Sequence, residues 1–448
     1  MTVLYFADTR FPIERANGVQ TMATCRALAE RGHAVTLVVR PDTAPLPRDP
    51  FEFYGWPATP RLDIVQVPTS RGPRRRRIRY LLDALRRSRA QPDAVVYTRD
   101  LGLAAFLLQL PADRRPRLVY ESHGVATTVS EEMPRLLGKP ELAPSARKLR
   151  RLDRQERRVW ARAPAYVAIT RALADDLAGR YGPRPNLFVV PDGAGSGPAW
   201  RKPGLTPESG PAWRQPGLTP GLRREPPADP SADSPASLRQ EPGLRPGLHQ
   251  AGPDSLVTGV SIIAAYAGHL YPWKGVDVFV RALALAPHVR GLIVGGHPGE
   301  TDRARVESLA RELSLGGRLT ITGLVPPHEV RQRLAVADVL VLPNTLSAIS
   351  ARYTSPLKLF EYLTLGRPIV ASDLPALREI LTDGVTALLS PPGDAHALAA
   401  ALERLAGDTA LARALGEAAA ALADDYTWER RAARLEPALA AAARASHS

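Results

Sequence analysis

Thirteen short apolar runs, bounded by turn residues and mostly separated by helix-period stretches, are the feature that most restricts how this chain can fold. They fall into two blocks. In the first, Val3–Phe6, Ala34–Val39, Asp63–Val67, Ala94–Tyr97, Arg117–Tyr120, Ala165–Ile169 and Leu187–Val190 read as strands. Residues 18–31 read as a helix carrying Val19, Met22, Ala23, Leu28 and Ala29. In the second block the strands are Ile262–Ala267, Gly291–Val294, Leu319–Thr322, Val339–Leu342, Pro368–Ala371 and Ala387–Leu389, with closing helices at Leu398–Leu405, Ala410–Ala423 and Glu429–Ala443. Runs that are apolar throughout suit strands covered on both faces, and strands separated by helices pair in parallel. The predicted class is α/β, with two doubly wound Rossmann-like domains facing a cleft. Open sheets of this kind take ligands beyond the carboxyl ends of their strands.

The rhythm breaks at residues 194–257, which hold thirteen of the forty-four prolines. Within them Pro198-Ala-Trp-Arg-Lys-Pro-Gly-Leu-Thr-Pro recurs as Pro211-Ala-Trp-Arg-Gln-Pro-Gly-Leu-Thr-Pro. So little apolar material cannot offset the entropy of ordering, so a low-complexity linker is expected, with a partner-binding repeat as the competing account. The predicted division is one Rossmann-like domain over 1–193, the insertion over 194–257, and a second Rossmann-like domain over 258–425. A helix over 426–448 is expected to pack back on the first domain.

Other sequence features narrow the setting. A single cysteine, Cys25, excludes an internal disulfide and fits a reducing compartment. The start, Met1-Thr2-Val3-Leu4-Tyr5-Phe6-Ala7-Asp8, meets a charge too early for a signal peptide, and nowhere do about 18 apolar residues run together. A cytoplasmic protein is expected, peripheral at most to the inner face of the plasma membrane. The net charge of +14 suits anionic partners without choosing among them.

Two segments suggest anion chemistry. Thr354-Ser355-Pro356-Leu357-Lys358-Leu359-Phe360-Glu361 reads as a helix start, with Thr354 or Ser355 as cap and Pro356 in the first turn. Lys358 near that start is unfavourable against the helix dipole unless an anion lies there, and Glu361, on the same face, can accept both hydroxyls of a ribose. An ordinary surface ion pair is the equal alternative. Gly268-His269-Leu270-Tyr271-Pro272-Trp273-Lys274-Gly275 follows a strand directly and puts a cation where an anionic ligand is expected, a solvated loop lysine being the alternative.

With these, Asn17-Gly18-Val19-Gln20, Arg31-Gly32-His33-Ala34-Val35, Tyr120-Glu121-Ser122-His123-Gly124, Pro191-Asp192-Gly193, Val294-Gly295-Gly296, Gly323-Leu324-Val325-Pro326 and Pro356–Ala371 form an ordered set. In it the chain resembles the family 4 retaining glycosyltransferases of the GT-B fold, over both halves but not the insertion. The resemblance implies a nucleotide-sugar co-substrate, UDP- or GDP-linked, with no further cofactor. It implies Glu361 on the donor ribose, Lys274 on the diphosphate and His123 close to the transferred sugar. Gly18, His269, Tyr353, Thr354, Ser355 and Leu359 join the donor side, Asn17 and Arg99 the acceptor side. Two positions depart from the family. Tyr353 stands eight residues before Glu361, where a sugar-contacting glutamate is usual, and His269 replaces an arginine. Lys358 is then the candidate second cation, with Arg99 behind it.

The resemblance implies retention of anomeric configuration, by front-face attack. With neither an Asp-x-Asp nor a Cys/His ligand cluster in the sequence, the expected chemistry is metal-independent, resting on His123, Lys274 and Lys358. The acceptor is left open among a glycan, a lipid-linked molecule and a small molecule. The run Arg74-Arg75-Arg76-Arg77-Ile78-Arg79, continuing through Tyr80–Arg89 with Leu81, Leu82 and Leu85 assigned to one face, suits an anionic membrane, against the account of a solvated basic face. A dinucleotide-binding oxidoreductase is disfavoured because Gly193-Ala-Gly195-Ser-Gly197 leads into no helix. Nucleic-acid binding is disfavoured because the basic run lacks interleaved aromatics. A catalytically weak, glycosyltransferase-like scaffold stays open through Tyr353.

Overall fold

The structure, a computed structural model, describes residues 1–44, 46–68, 72–195, 261–296 and 302–445, without the side chains of 327 and 328. The duplicated Pro-rich repeat lies outside the described residues. Among the described residues thirteen strands form two parallel sheets. In the first half these are β1 (Thr2–Arg10), β2 (Ala34–Arg40), β3 (Leu62–Gln66), β4 (Val95–Thr98), β5 (Arg117–Ser122), β6 (Ala165–Ala168) and β7 (Leu187–Val189), in the order β3-β2-β1-β4-β5-β6-β7. In the second they are β8 (Ile262–Ala267), β9 (Val289–Val294), β10 (Leu319–Ile321), β11 (Val339–Leu342), β12 (Ile369–Ser372) and β13 (Leu388–Ser390), in the order β10-β9-β8-β11-β12-β13. The strand order reverses between β1 and β4 and again between β8 and β11. Loops leaving the two strands at each reversal part in opposite directions, which opens a crevice there.

Strand periodicity explains why each run is apolar throughout. Val3 and Tyr5 of β1 enter one buried cluster while Leu4 and Phe6 enter the other. In β8, Ala264 and Tyr266 go one way, Ala265 and Ala267 the other. Successive side chains point to opposite faces, and both faces are covered by helices. The helix Trp428–Arg444 places Ala432, Leu435, Ala438 and Leu439 in the cluster on one face of the first sheet.

Apolar and polar contacts join the halves. Ile349 and Tyr353 of the second half belong to a core cluster of the first. Glu132 accepts from the N–H groups of Ala348 and Ile349, both at 3.3 Å, at the start of the helix Ala348–Arg352. Glu379 accepts from Arg171 and Ala172 at 2.7 and 2.8 Å, at the start of the helix Arg171–Tyr181. In each case one half's carboxylate satisfies amides that a helix start leaves open in the other.

The structure revises two local expectations. Neither Thr354 nor Ser355 caps the next helix, which runs Leu357–Leu365 with Pro356 at its cap position and no side-chain cap. Proline holds the residue before it extended, and both hydroxyls are used elsewhere: Thr354 Oγ1 donates to the Ile349 carbonyl at 3.1 Å, and Ser355 Oγ accepts from the Asp192 N–H at 3.0 Å. In the basic helix Pro73–Ala90 the buried line is Tyr80, Ala84 and Ser88. Leu81 and Leu85 flank it, but Leu82, 200° round from Tyr80 at 100° per residue, is 56% exposed.

Candidate functional site

The loop after β8 and the helix after β11 stand on either side of the second reversal, and they carry Lys274 and Lys358. A short 3₁₀ turn, Pro272–Lys274, lifts Lys274 out of the loop and ends at Gly275. Gly275 has φ +74°, and a Cβ there would lie 1.6 Å from the Pro343 carbonyl oxygen, so no other residue fits. The Thr345 N–H donates to the Trp273 carbonyl at 3.2 Å, tying this loop to the one after β11. Lys274 Nζ lies 3.6 Å from the centre of the Trp273 ring, and burial pushes its pKa down to about 8.

Lys358 Nζ lies 3.8 Å from the Tyr266 ring centre and is buried without a hydrogen-bond partner. Burial first, and then the neighbouring Lys274, hold its pKa well below the ordinary lysine value. Burial raises the Glu361 carboxyl, against the pull of Arg331 and Lys358. These residues are therefore not a surface ion pair. Trp273 Nε1 and both amide atoms of the fully buried Asn344 also lack partners. Buried polar groups are rarely left so. Two cations, a carboxylate and orphaned amides around an uncapped helix start form a site suited to an anionic, hydroxylated ligand.

His269 stacks on Tyr271 with ring centres 5.0 Å apart, and its carbonyl accepts from the Tyr266 hydroxyl at 2.6 Å. Leu359 is fully buried among the core residues behind this helix. Tyr353 turns its hydroxyl to Asp176 of the first half, and its ring lies against Gly124, where a Cβ would be 3.1 Å from Tyr353 Cδ2. The segment 353–355 thus touches the loops that carry His123 and Asp192.

In the first half, the helix Ala16–Glu30 begins with Asn17 and Gly18. A Cβ at Gly18 would come within 2.5 Å of both Ile13 Cγ2 and the Tyr54 hydroxyl, so the backbone packs closely against its own loop. One turn on, Gln20 enters a buried cluster that sequence reasoning missed. Glu121 Oε1 accepts from Gln20 Nε2 at 2.8 Å, and His123 Nε2 lies 2.6 Å from the same oxygen. Glu121 Oε2 accepts from Arg431 Nη2 at 2.7 Å and from the Tyr97 hydroxyl. Gln20 Nε2 also donates to Asp192 Oδ1 at 2.7 Å, and its carbonyl oxygen accepts from Arg99. Burial opposes the Glu121 charge, but Arg431, His123 and Arg99 outweigh it and hold the carboxyl well below its usual range. Burial, then Arg99, lowers the His123 imidazole, against the pull of Glu121 and Asp192. Two signals were present in the sequence: a glutamate near the end of an apolar strand, and Arg431 on the same stripe as Leu435, Ala438 and Ala442 of the last helix.

Among the described residues no group of three or more His, Cys, Asp or Glu side chains is placed to hold a metal ion, and no helix is long and apolar enough to cross a membrane.

Comparison with known proteins supplies the context for this geometry. Residues 261–408 match the family model described as Glycosyl transferases group 1, and residues 17–193 the one described as Glycosyl transferase 4-like domain. The D-inositol 3-phosphate glycosyltransferase of Nocardia farcinica is 29% identical over 297 residues, 64% of this chain and 54% of that protein. The alpha-D-kanosaminyltransferase of Streptomyces kanamyceticus is 29% identical over 165 residues, 36% of this chain and 40% of that one. The chain therefore matches about half of these relatives' length or less. In fold, it is similar to sucrose-phosphate synthase from Thermosynechococcus elongatus, with TM-score 0.66 and 20% identity over 97% of both chains. It is also similar to Anabaena Alr3699/HepE in complex with UDP-glucose, with TM-score 0.63 and 16% identity over 98% of this chain and 99% of that one.

Proposed function

The chain belongs to the group 1 glycosyltransferases, of the family 4 type and the GT-B fold, and on that premise we propose that it moves a sugar from a UDP- or GDP-sugar to a glycan or lipid-linked acceptor, with retention and without a metal. One observation carries this reading: the buried Nζ of Lys358 has no hydrogen-bond partner and lies in the field of Lys274. Bringing two like charges together in a dry site is unfavourable until an anion joins them. A diphosphate does so, and as the bond from its oxygen to the sugar breaks, the same cations meet the growing negative charge. Glu361 then faces the ribose hydroxyls, with His269 and the 353–355 segment around the donor, while Leu359, fully buried, only packs the helix from behind. His123 faces the transferred sugar, Gly18 lies on the donor side, and Asn17 and Arg99 lie toward the acceptor. The relative crystallised with UDP-glucose supports a nucleotide-sugar donor. The relatives named for inositol 3-phosphate or kanosamine transfer differ too much from one another to choose an acceptor.

Calorimetry with UDP and GDP, in chelator, tests the donor site. Binding of one of them is the expected result, and no binding of either defeats the reading. Turnover of a nucleotide sugar then separates a transferase from a scaffold that binds nucleotide only. A membrane role has its own support: Ile78 and Leu82, each 56% exposed, stand among arginines on the basic helix Pro73–Ala90. Sedimentation with anionic vesicles, and not with neutral ones, is the outcome expected if this face meets a bilayer.

A further inference from the structure

The Glu121 cluster has a chemical consequence for His123. We infer that Glu121 is a positioning residue: its carboxylate holds His123 as the Nε2–H tautomer and leaves Nδ1 bare, as an acceptor for a sugar hydroxyl in the cleft.

The argument is one of donors and acceptors. Every other group on the Glu121 oxygens is a donor: the Gln20 amide nitrogen, the Arg431 guanidinium and the Tyr97 hydroxyl. Those bonds require an ionised carboxylate, which has no proton to give. The 2.6 Å contact between His123 Nε2 and Glu121 Oε1 therefore takes its proton from the imidazole. In a neutral ring the remaining nitrogen, Nδ1, then carries a lone pair. The groups that set the ring's charge are Glu121, Arg99 and Asp192, with burial, and the balance favours the neutral form. Nδ1 has no partner among the described residues. The His123 side chain is 26% exposed and that of Arg99 21%, while Glu121 and Arg431 are each 1% exposed, so the cluster opens to solvent at the imidazole and at Arg99 beside it.

The cluster draws on distant parts of the chain. Gln20 follows β1, Arg99 follows β4, Glu121 lies one residue before the end of β5, and Asp192 follows β7. Arg431 arrives on the helix Trp428–Arg444, 310 residues beyond Glu121. Asp192 in turn donates its N–H to Ser355 of the other half, and Tyr353 packs on Gly124 next to His123. The C-terminal helix thus fixes the orientation of a side chain that faces the donor half.

This inference rests on the transferase reading only for the hydroxyl that Nδ1 would meet. Its test needs no donor. Ring-¹⁵N spectra of histidine-labelled full-length protein, with His123 assigned among the nine histidines by its loss in His123→Phe, report the tautomer directly. The expected spectrum shows a neutral Nε2–H ring at pH 7. In Glu121→Gln, whose amide can donate to Nε2, the proton moves toward Nδ1. Turnover should fall by roughly 10- to 100-fold, the size of one charge-assisted hydrogen bond, with UDP affinity retained. The acid limb of kcat should also move to lower pH, because the carboxylate that raises the imidazole pKa is gone. An Nδ1–H ring or an imidazolium in the wild type at pH 7 overturns the inference, and that measurement stands even where Glu121→Gln fails to fold. An unchanged ring or unchanged kcat in a folded Glu121→Gln overturns it as well. Failure of the wild type to bind UDP would instead count against the donor site, leaving the tautomer result intact.

Discussion

Both halves bury charge at the carboxyl ends of their strands, but they compensate it differently. Around Glu121 the charges answer one another: Arg431 and Arg99 face Glu121 and Asp192, and Gln20 and Tyr97 use the remaining lone pairs. Around Lys358 the balance is incomplete: its Nζ has no hydrogen-bond partner, meets the face of Tyr266 and the field of a second lysine, and has only the field of Glu361 in its favour. Compensated buried charge is architecture and uncompensated buried charge is a ligand site, because burying an unpaired ion is costly unless binding offsets it. Removing a member of each group should therefore have opposite consequences.

The largest expected effect is on turnover. Lys274→Ala and Lys358→Ala should each lower kcat by about 10²- to 10³-fold, the scale of one preorganised charge on a developing oxyanion. The unliganded protein should melt no lower, since a buried unpaired cation has been removed. Wild-type turnover in either variant would break the comparison. Arg431→Met should do the reverse, costing about 3–5 kcal/mol in denaturant unfolding because Glu121 and Asp192 stay buried without their cation. A loss below 1 kcal/mol would mean that the cluster is not compensated as described.

The pH dependence sharpens the contrast. Folding lowers the Lys274 value from 10.5 to about 8, so between those limits the unfolded chain binds more protons. Stability of the unliganded protein should therefore gain from this lysine as pH rises across that window. A diphosphate restores the charge. UDP affinity should then fall by up to about tenfold per pH unit above 8, with proton uptake visible as a binding heat that depends on the buffer's ionisation enthalpy. A buffer-independent heat at pH 9 would contradict a deprotonated Lys274. The smallest effect is expected at the seam between the halves. Tyr353→Phe removes the hydroxyl from Asp176 and should raise the donor KM a few-fold, as loss of one hydrogen bond worth about 1 kcal/mol implies, with kcat little changed. A large kcat loss would place the Tyr353 hydroxyl in the chemistry instead.

Much of the fold was legible because burial on both sheet faces leaves a mark that needs no tertiary information. Ile262–Ala267 and Val339–Leu342 are apolar at every position and stand as strands with those bounds. The placing of Lys274 in a turn between a strand and a glycine is likewise local. A run of leucines on an arginine-rich helix does not say which of them meets the core, and Leu82 faces away from it. The helix cap was misread because Thr354 and Ser355 find partners in Ile349 and in the other half, which local preference cannot anticipate.

Two parallel sheets, their break at a Pro-rich stretch and the presence of cations at strand ends follow from the sequence by itself, since each depends on neighbours within a few residues. Which charges are paired was decided only in three dimensions. Gln20, Glu121, Asp192 and Arg431 are hundreds of residues apart at the extreme; the parallel sheet brings the first three together, and the crossing of the last helix adds Arg431. Electrostatic energy depends on distance and burial, and neither can be read from the order of residues along a chain.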